Sequence, residues 1–463
     1  MIRLAGRGAD ADHDTAEAVT LLVQDTHDTK LDVKDVDTKE IEVDKKVLET
    51  AAAPSKILFL DGVRGLAALL VVTQHSHEYM QDLNLGACAV DAFFVLSSFL
   101  LTMLFMKKSV KLLAQGASYR KWAFTLADYF SKRFFRVYPL FALVATVLWM
   151  LPDDAKHRYY LIEEPEKFDL VKVPTFDFHS RYFVLWTLPL EITFYLFIPG
   201  FVLAVLRLRQ FWWVPFVPAY GWVVYEGWYT YRWDHMTLST HAPTFAAGSM
   251  AAVVFVKLDT WIKESAFEFT GRQIRVIRAV ELSALSVLLS LSFQGLFFHW
   301  IHGNIAPSTP GFSFISGLLT LVLVIEMLLP SGLSTLLEWS ALRYCGKVSF
   351  SIYLLHGFVI YNLSVRSQPS YYDRIFLRFG LTLLLATLSY HVVEYPSQLV
   401  AQHVTRSLAK QELQGSTEAV HSIASKDRIV EGCEIAMQHN CLTLIYVESC
   451  RTITVGVLPK PDT

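Results

Sequence analysis

Residues 57–80, ILFLDGVRGLAALLVVTQHSHEYM, make an apolar stretch of helical length that nevertheless carries Asp61, Arg64, His75, His77 and Glu78. A bilayer core is about 30 Å thick and a helix needs about 20 residues to cross it, so this stretch is long enough to span. Ionisable groups are costly in such a position and by default mark a function. Their spacing narrows the choice. Eleven steps separate Arg64 from His75, which at about 100° and 1.5 Å per residue leaves them within roughly 20° of one helix face and ~16 Å apart along it. A fixed cation near one end and a titratable base three turns on suit a long ligand, anionic at one end and reactive at the other. A phosphate-bearing acyl carrier such as acyl-coenzyme A has that form.

The rest of the chain supplies the setting for such a helix. Only 18% of its 463 residues are charged and 53% are hydrophobic; soluble domains average about 25% charged, so the deficit points to membrane. A net charge of −2 argues against a nucleic-acid partner, whose footprint is a basic stripe. Apolar runs at 57–77, 86–106, 134–151, 182–206, 211–230, 242–256, 279–299, 312–329, 348–365 and 375–396 predict an all-α polytopic membrane protein, about ten transmembrane helices in one bundle. A disordered cytosolic leader (1–55) and a short cytosolic tail (399–463) flank a transmembrane domain over 56–398. The leader is polar and has no apolar h-region, so it is not read as a signal peptide.

If the leader is cytosolic, seventeen basic residues fall in inner connections (eight of them in 107–136) and eight in outer ones. That bias puts both termini in the cytosol. The tail holds an apolar β-rich run at 442–447 with Thr452-Ile453-Thr454-Val455 after it, the pattern of a short hairpin. Cys88, Cys345, Cys433, Cys441 and Cys450 match neither a disulfide framework nor a zinc spacing. His75 and His77, two apart, do not share a helix face. His299 and His302 have no carboxylate beside them and read as interfacial. No metal and no permanently bound cofactor is expected.

The charged groups singled out in and beside the apolar runs each have a structural and a chemical reading. His75 is either a polar helix-end residue bonded to a carbonyl or a general base, since imidazole titrates near neutral pH. Arg64 can pair locally with Asp61 and still offer donors to a ligand. Arg133 and Arg136, three apart on one face, are either lipid-facing anchors or a bidentate phosphate grip. Glu191, inside an apolar run, must be neutral, paired or facing a wet cavity; its partner is an imidazole, whose tautomer it would fix, or an arginine. Tyr353 and His356 lie one turn apart on one face, where a structural hydrogen bond is expected. Glu394 is expected to pair with Arg133 or Arg136.

Taken together, these segments resemble the acyltransferase 3 family of integral-membrane acyltransferases. Leu60-Asp61-Gly62-Val63-Arg64-Gly65 with His75 resembles its opening motif, and 90–100, VDAFFVLSSFL, its second-span block, where the family usually has Gly at the position of Ser98. Arg133, Arg136 and Pro139 fall on the third motif, Trp186, Leu188, Glu191, Phe194 and Tyr195 on the fourth, and Tyr353, His356, Glu394 and Pro396 on the closing ones. The resemblance implies transfer of an acyl group, often acetyl, from acyl-coenzyme A as co-substrate to a hydroxyl-bearing acceptor: a glycan, a lipid or a small metabolite. It implies that His75 is catalytic and that Arg64, Arg133 and Arg136 hold the donor; with Glu191 read as the acid that orients the imidazole, the set is complete. Supporting places go to Asp61, Tyr138, Tyr195, Tyr353, His356 and Glu394. The departure at Ser98 bears on how closely the second span can pack. The alternative reading is a polytopic transporter that uses the same charges as a solute or proton pathway.

Overall fold

The computed structural model describes residues 57–78, 85–173, 175, 182–229, 238–293, 296–298, 313–412, 414, 445–448 and 451–454. The leader, His299, His302, Cys433, Cys441, Cys450 and most of the tail lie outside the described residues. Helices form in the order α1 (Leu58–His75), α2 (Leu85–Ala114), α3 (Tyr119–Met150), α4 (Asp153–Tyr160), α5 (Thr187–Arg207), α6 (Phe216–Tyr229) and α7 (Leu238–Ser265). Next come α8 (Gly271–Ser292), α9 (Ser313–Leu328), α10 (Gly332–Leu337), α11 (Ser340–Lys347), α12 (Ser349–Ile360), α13 (Leu363–Arg366) and α14 (Tyr371–Ser389). A helix falls on each of the ten predicted apolar runs. Six of them are long and apolar enough to cross a membrane, and α9 and α12 are shorter apolar helices. In the tail, β1 (Ile445–Glu448) pairs antiparallel with β2 (Arg451–Thr454) in the register Ile445 to Thr454, the hairpin expected from its alternation.

The helix carrying Arg64 and His75 is fixed by backbone contact. A Cβ on Gly62 would overlap the Leu337 carbonyl oxygen at the end of α10, one on Gly65 the Leu342 carbonyl of α11, and one on Gly346 the Asp61 carbonyl. Small residues at such crossings let helices approach closely where lipid leaves no hydrophobic drive between them. α1 ends after His75, where His77 turns left-handed at φ 50°, and the Gln74 side chain accepts from Gly86 N at 3.4 Å to seat the start of α2.

A second close crossing answers the departure at Ser98. Its hydroxyl folds back onto its own helix, donating to the carbonyls of Phe94 (2.9 Å) and Val95 (3.1 Å). Gly248 on α7 lies opposite, so that a Cβ there would strike Ser98 Oγ. The missing glycine of α2 is thus supplied by its neighbour, and the two helices pack tightly.

Two predicted boundaries move. The connection 107–136 is mostly helix, because α2 runs on to Ala114 and α3 begins at Tyr119, capped by Ser118, whose hydroxyl accepts from Lys121 N. Asp128 ties these extensions together through Lys108 (3.1 Å), Lys132 (2.9 Å) and the Thr405 hydroxyl (2.7 Å). The last helix does not stop at Pro396 but continues to Glu412. A wide π turn over Tyr390–Glu394 precedes the proline; the ring lacks an N–H and crowds the carbonyl four residues back, and the wider turn makes room for it.

Candidate active site

One cavity of about 90 Å³ lies between α1, α2, α3, α5 and α12. Arg64, Arg133 and Arg136 line it together with Ser97, Glu191, Tyr195 and Tyr353. Three cationic residues separated by up to 72 positions therefore share one wall, and their charges act on one another. Among the described residues none of the three hydrogen-bonds to protein. The nearest acid to Arg64 is Asp61, at 3.9 Å, and Arg133 Nε is buried without a partner. A guanidinium has five N–H donors. Such a group left unbonded inside a protein is set to receive an anion with paired oxygens, as phosphate offers.

Glu191 stands in the same wall. Its carboxylate accepts hydrogen bonds from the hydroxyls of Ser97 and Tyr195, and Tyr129 Oη donates to the Tyr195 carbonyl at 3.1 Å, locking that turn of α5. The expected pairing of Glu191 with His75 is therefore corrected. The acid lines the cavity from the start of α5, whereas His75, the last residue of α1, is not among the lining residues.

His75 is bonded instead to His356. His75 Nδ1 and His356 Nε2 are 3.0 Å apart, with ring centroids at 5.0 Å and planes at 20°. Those values describe two imidazoles meeting edge to edge and nearly coplanar. His356 is fully buried, and its Nδ1 lies 3.2 Å from the Ile352 carbonyl. The Phe183 ring packs on both, 4.8 Å from His75 and 5.3 Å from His356. Tyr160 donates to the Leu354 carbonyl and so ties α4 to the helix that carries His356.

Tyr353 links the two places. It lines the cavity, and its ring is 6.2 Å from His356 and 5.9 Å from Phe93. Glu394 lies behind the wall, buried in the π turn, where it accepts from Ser351; Arg136 acts on it through its charge, but neither Arg133 nor Arg136 bonds to it. The expected Glu394–arginine pair is thus a neighbour relation only. Tyr138 stacks on Phe134 with centroids 4.8 Å apart, outside the cavity lining. Ser97 and Phe183 went unassigned by sequence reasoning, since a serine or phenylalanine in an apolar run carries no signal of its own.

A family model described as an acyltransferase domain matches residues 57–392. The chain belongs to the acyltransferase 3 family. The matched segment contains every cavity residue named above and both imidazoles. Among curated relatives, the Staphylococcus aureus (strain COL) protein named Putative O-acetyltransferase SACOL0978 is 25% identical over 373 residues, covering 73% of this chain and 56% of that protein. O-acetyltransferase OatA of Staphylococcus aureus (strain NCTC 8325 / PS 47) is 25% identical over 407 residues, 78% of this chain and 60% of OatA. Protein 2 in picA locus of Rhizobium radiobacter is 34% identical over 96 residues, 20% of this chain and 45% of that protein. The chain thus spans a little over half the length of the O-acetyltransferases that it matches. No solved structure matches it. The transporter alternative finds no support in these likenesses.

Proposed function

We propose that this acyltransferase 3 protein is an integral-membrane O-acyltransferase that moves an acyl group, acetyl in the simplest case, from acyl-coenzyme A to a hydroxyl of a glycan, lipid or small metabolite. The observation that carries the reading is the set of three guanidiniums around one cavity with no hydrogen bond to protein among the described residues, one of them on the same helix as His75. In this reading ten helices span the membrane, both termini are cytosolic, and the cavity opens to the cytosol. Arg64, Arg133 and Arg136 hold the donor's phosphates, and Glu191, Ser97 and Tyr195 keep the rest of the lining polar. The pantetheine arm follows the face of α1, passing Phe93 and Tyr353, and brings the thioester to His75.

There the imidazole takes the proton of the acceptor hydroxyl as the oxygen attacks the thioester carbonyl. The carbon–sulfur bond breaks, and coenzyme A leaves as a thiolate that takes its proton back from the imidazolium. Ester and free thiol are the products, and the base is regenerated.

Purified full-length protein in detergent tests this. Acetyl-coenzyme A is expected to raise its apparent melting temperature and to release free thiol slowly, with Arg133→Leu removing the protection. If acetyl-coenzyme A neither protects the protein nor loses its acyl group, the proposal fails.

A further inference from the structure

The bond between the two imidazoles fixes where their protons sit. Ile352 presents a carbonyl, which only accepts, so the His356 nitrogen 3.2 Å away, Nδ1, must carry a hydrogen. His356 is fully buried and no carboxylate bonds to it among the described residues, so a second proton would leave an unpaired charge in the interior. The ring is neutral and its Nε2 is an acceptor. The group facing that nitrogen at 3.0 Å is His75 Nδ1, which must therefore donate. By elimination the lone pair of His75 lies on Nε2, the nitrogen turned away from His356.

We propose that His356 is the positioning residue for His75, accepting its Nδ1–H and so presenting the Nε2 lone pair to the reacting hydroxyl. This deepens the acyltransferase reading and rests on His75 being its base. When His75 Nε2 takes the hydroxyl proton, the charge spreads to Nδ1–H and strengthens its bond to His356, which itself neither gains nor loses a proton. A neutral acceptor stabilises an imidazolium less than the carboxylate of a hydrolytic triad does. It also spares the apolar site an ionised acid in the resting state. Phe183, packed on both rings, keeps them from rotating apart. The titratable groups acting on His75 are His356 from α12 and His77 just past the end of α1.

The test compares full-length native protein with His356→Leu, which fills the space without an acceptor, and His356→Gln, whose amide oxygen restores one. Three readings are taken: thiol release from acetyl-coenzyme A across pH, melting temperature, and the pH at which diethylpyrocarbonate modifies His75, mapped by peptide mass spectrometry. The last needs no turnover. His356→Leu should lower kcat about 10²-fold with KM within twofold, and His356→Gln should recover most of the loss. Without the acceptor the imidazolium is less stabilised, so the acid limb of the profile and the modification midpoint of His75 should both move to lower pH in His356→Leu. Unchanged kcat and midpoint in His356→Leu would overturn the assignment, as would equal losses in both variants together with a lower melting temperature. Thiol release that survives His75→Ala would instead sink the base reading itself, whatever His356 does.

Discussion

The arginines around the cavity and the ion-paired Arg278 are built in opposite ways. Arg278 on α8 is closed: Nη1 donates to Glu281 and, at 3.0 Å, to Glu326, and Nη2 donates to the Leu329 carbonyl. Glu326 in turn accepts from Ser331 N (3.1 Å) and Ser331 Oγ (2.5 Å). Arg64, Arg133 and Arg136 form the open case, three cations around a cavity without a protein hydrogen bond among the described residues. A charge taken out of water must be answered by something. Where the protein answers it fully, the cluster is a strut between helices. Where it does not, the proposed function makes the cluster a receptor, and the answer would arrive with the ligand.

The largest effect separates the cavity from the chemistry. His75→Ala is expected to lower thiol release from acetyl-coenzyme A by roughly 10³-fold or more, while thermal protection by acetyl-coenzyme A stays as in the native protein. Loss of both together would mean that the two ends of α1 are not distinct sites.

Next comes the closed cluster. Arg278→Leu leaves two nearly buried acids, Glu281 and Glu326, without their cation, and breaking such a pair costs about 3–5 kcal/mol. A clear fall in apparent melting temperature is expected, with KM for acetyl-coenzyme A unchanged. The open cluster should do the reverse. Arg133→Leu should raise that KM by about 10–100-fold, the loss of one charge-assisted grip at about 1.5–3 kcal/mol, without lowering the melting temperature, because it removes one of three mutually repelling charges. Matching phenotypes in these two variants would erase the distinction drawn above.

The smallest effect concerns a closed cluster at the far end of α1. Glu78 is gripped by Arg374 (2.5 Å) and Arg378 (2.5 Å). The hydrogen bond from Arg374, first among the causes, holds its carboxyl below the usual glutamate range, and Arg378 adds to it. The stabilisation is therefore present above the ordinary glutamate pKa of about 4.3 and is lost as pH falls through the lower folded value. Glu78→Gln should lower the melting temperature by a few degrees near neutral pH, about 1 kcal/mol, and the gap from the native protein should close toward acid. A gap that does not change with pH would place the effect in packing.

Sequence pattern put a helix on each apolar run and picked out the charged residues of the cavity lining. A charge in an apolar run is a loud signal, and Arg64, Arg133, Arg136 and Glu191 all carried it. Apart from the local approach of Arg64 to Asp61, the partner of each charge was illegible, because partners are set by how helices pack. Glu191 found Ser97, 94 positions away, and His75 found His356 across 281; no spacing along one helix hints at either. Glu281 and Glu326 carry the same loud signal, but they fall on none of the family motifs, and only the packing of α8 against α9 shows that Arg278 joins them. The long extensions of α2 and α3 were missed because their polar faces read as connection, although Asp128 and its lysines are what hold them in helix.

The glycine contacts along α1 have a final consequence. Gly62 and Gly65 seat the helix against bare backbone, so it has no cushion of side chains on which to slide or roll. Arg64 and His75 are then marks on a fixed ruler: a donor whose arm is a few atoms too short or too long cannot be met halfway. Selection by reach would act before any acyl group or acceptor is inspected.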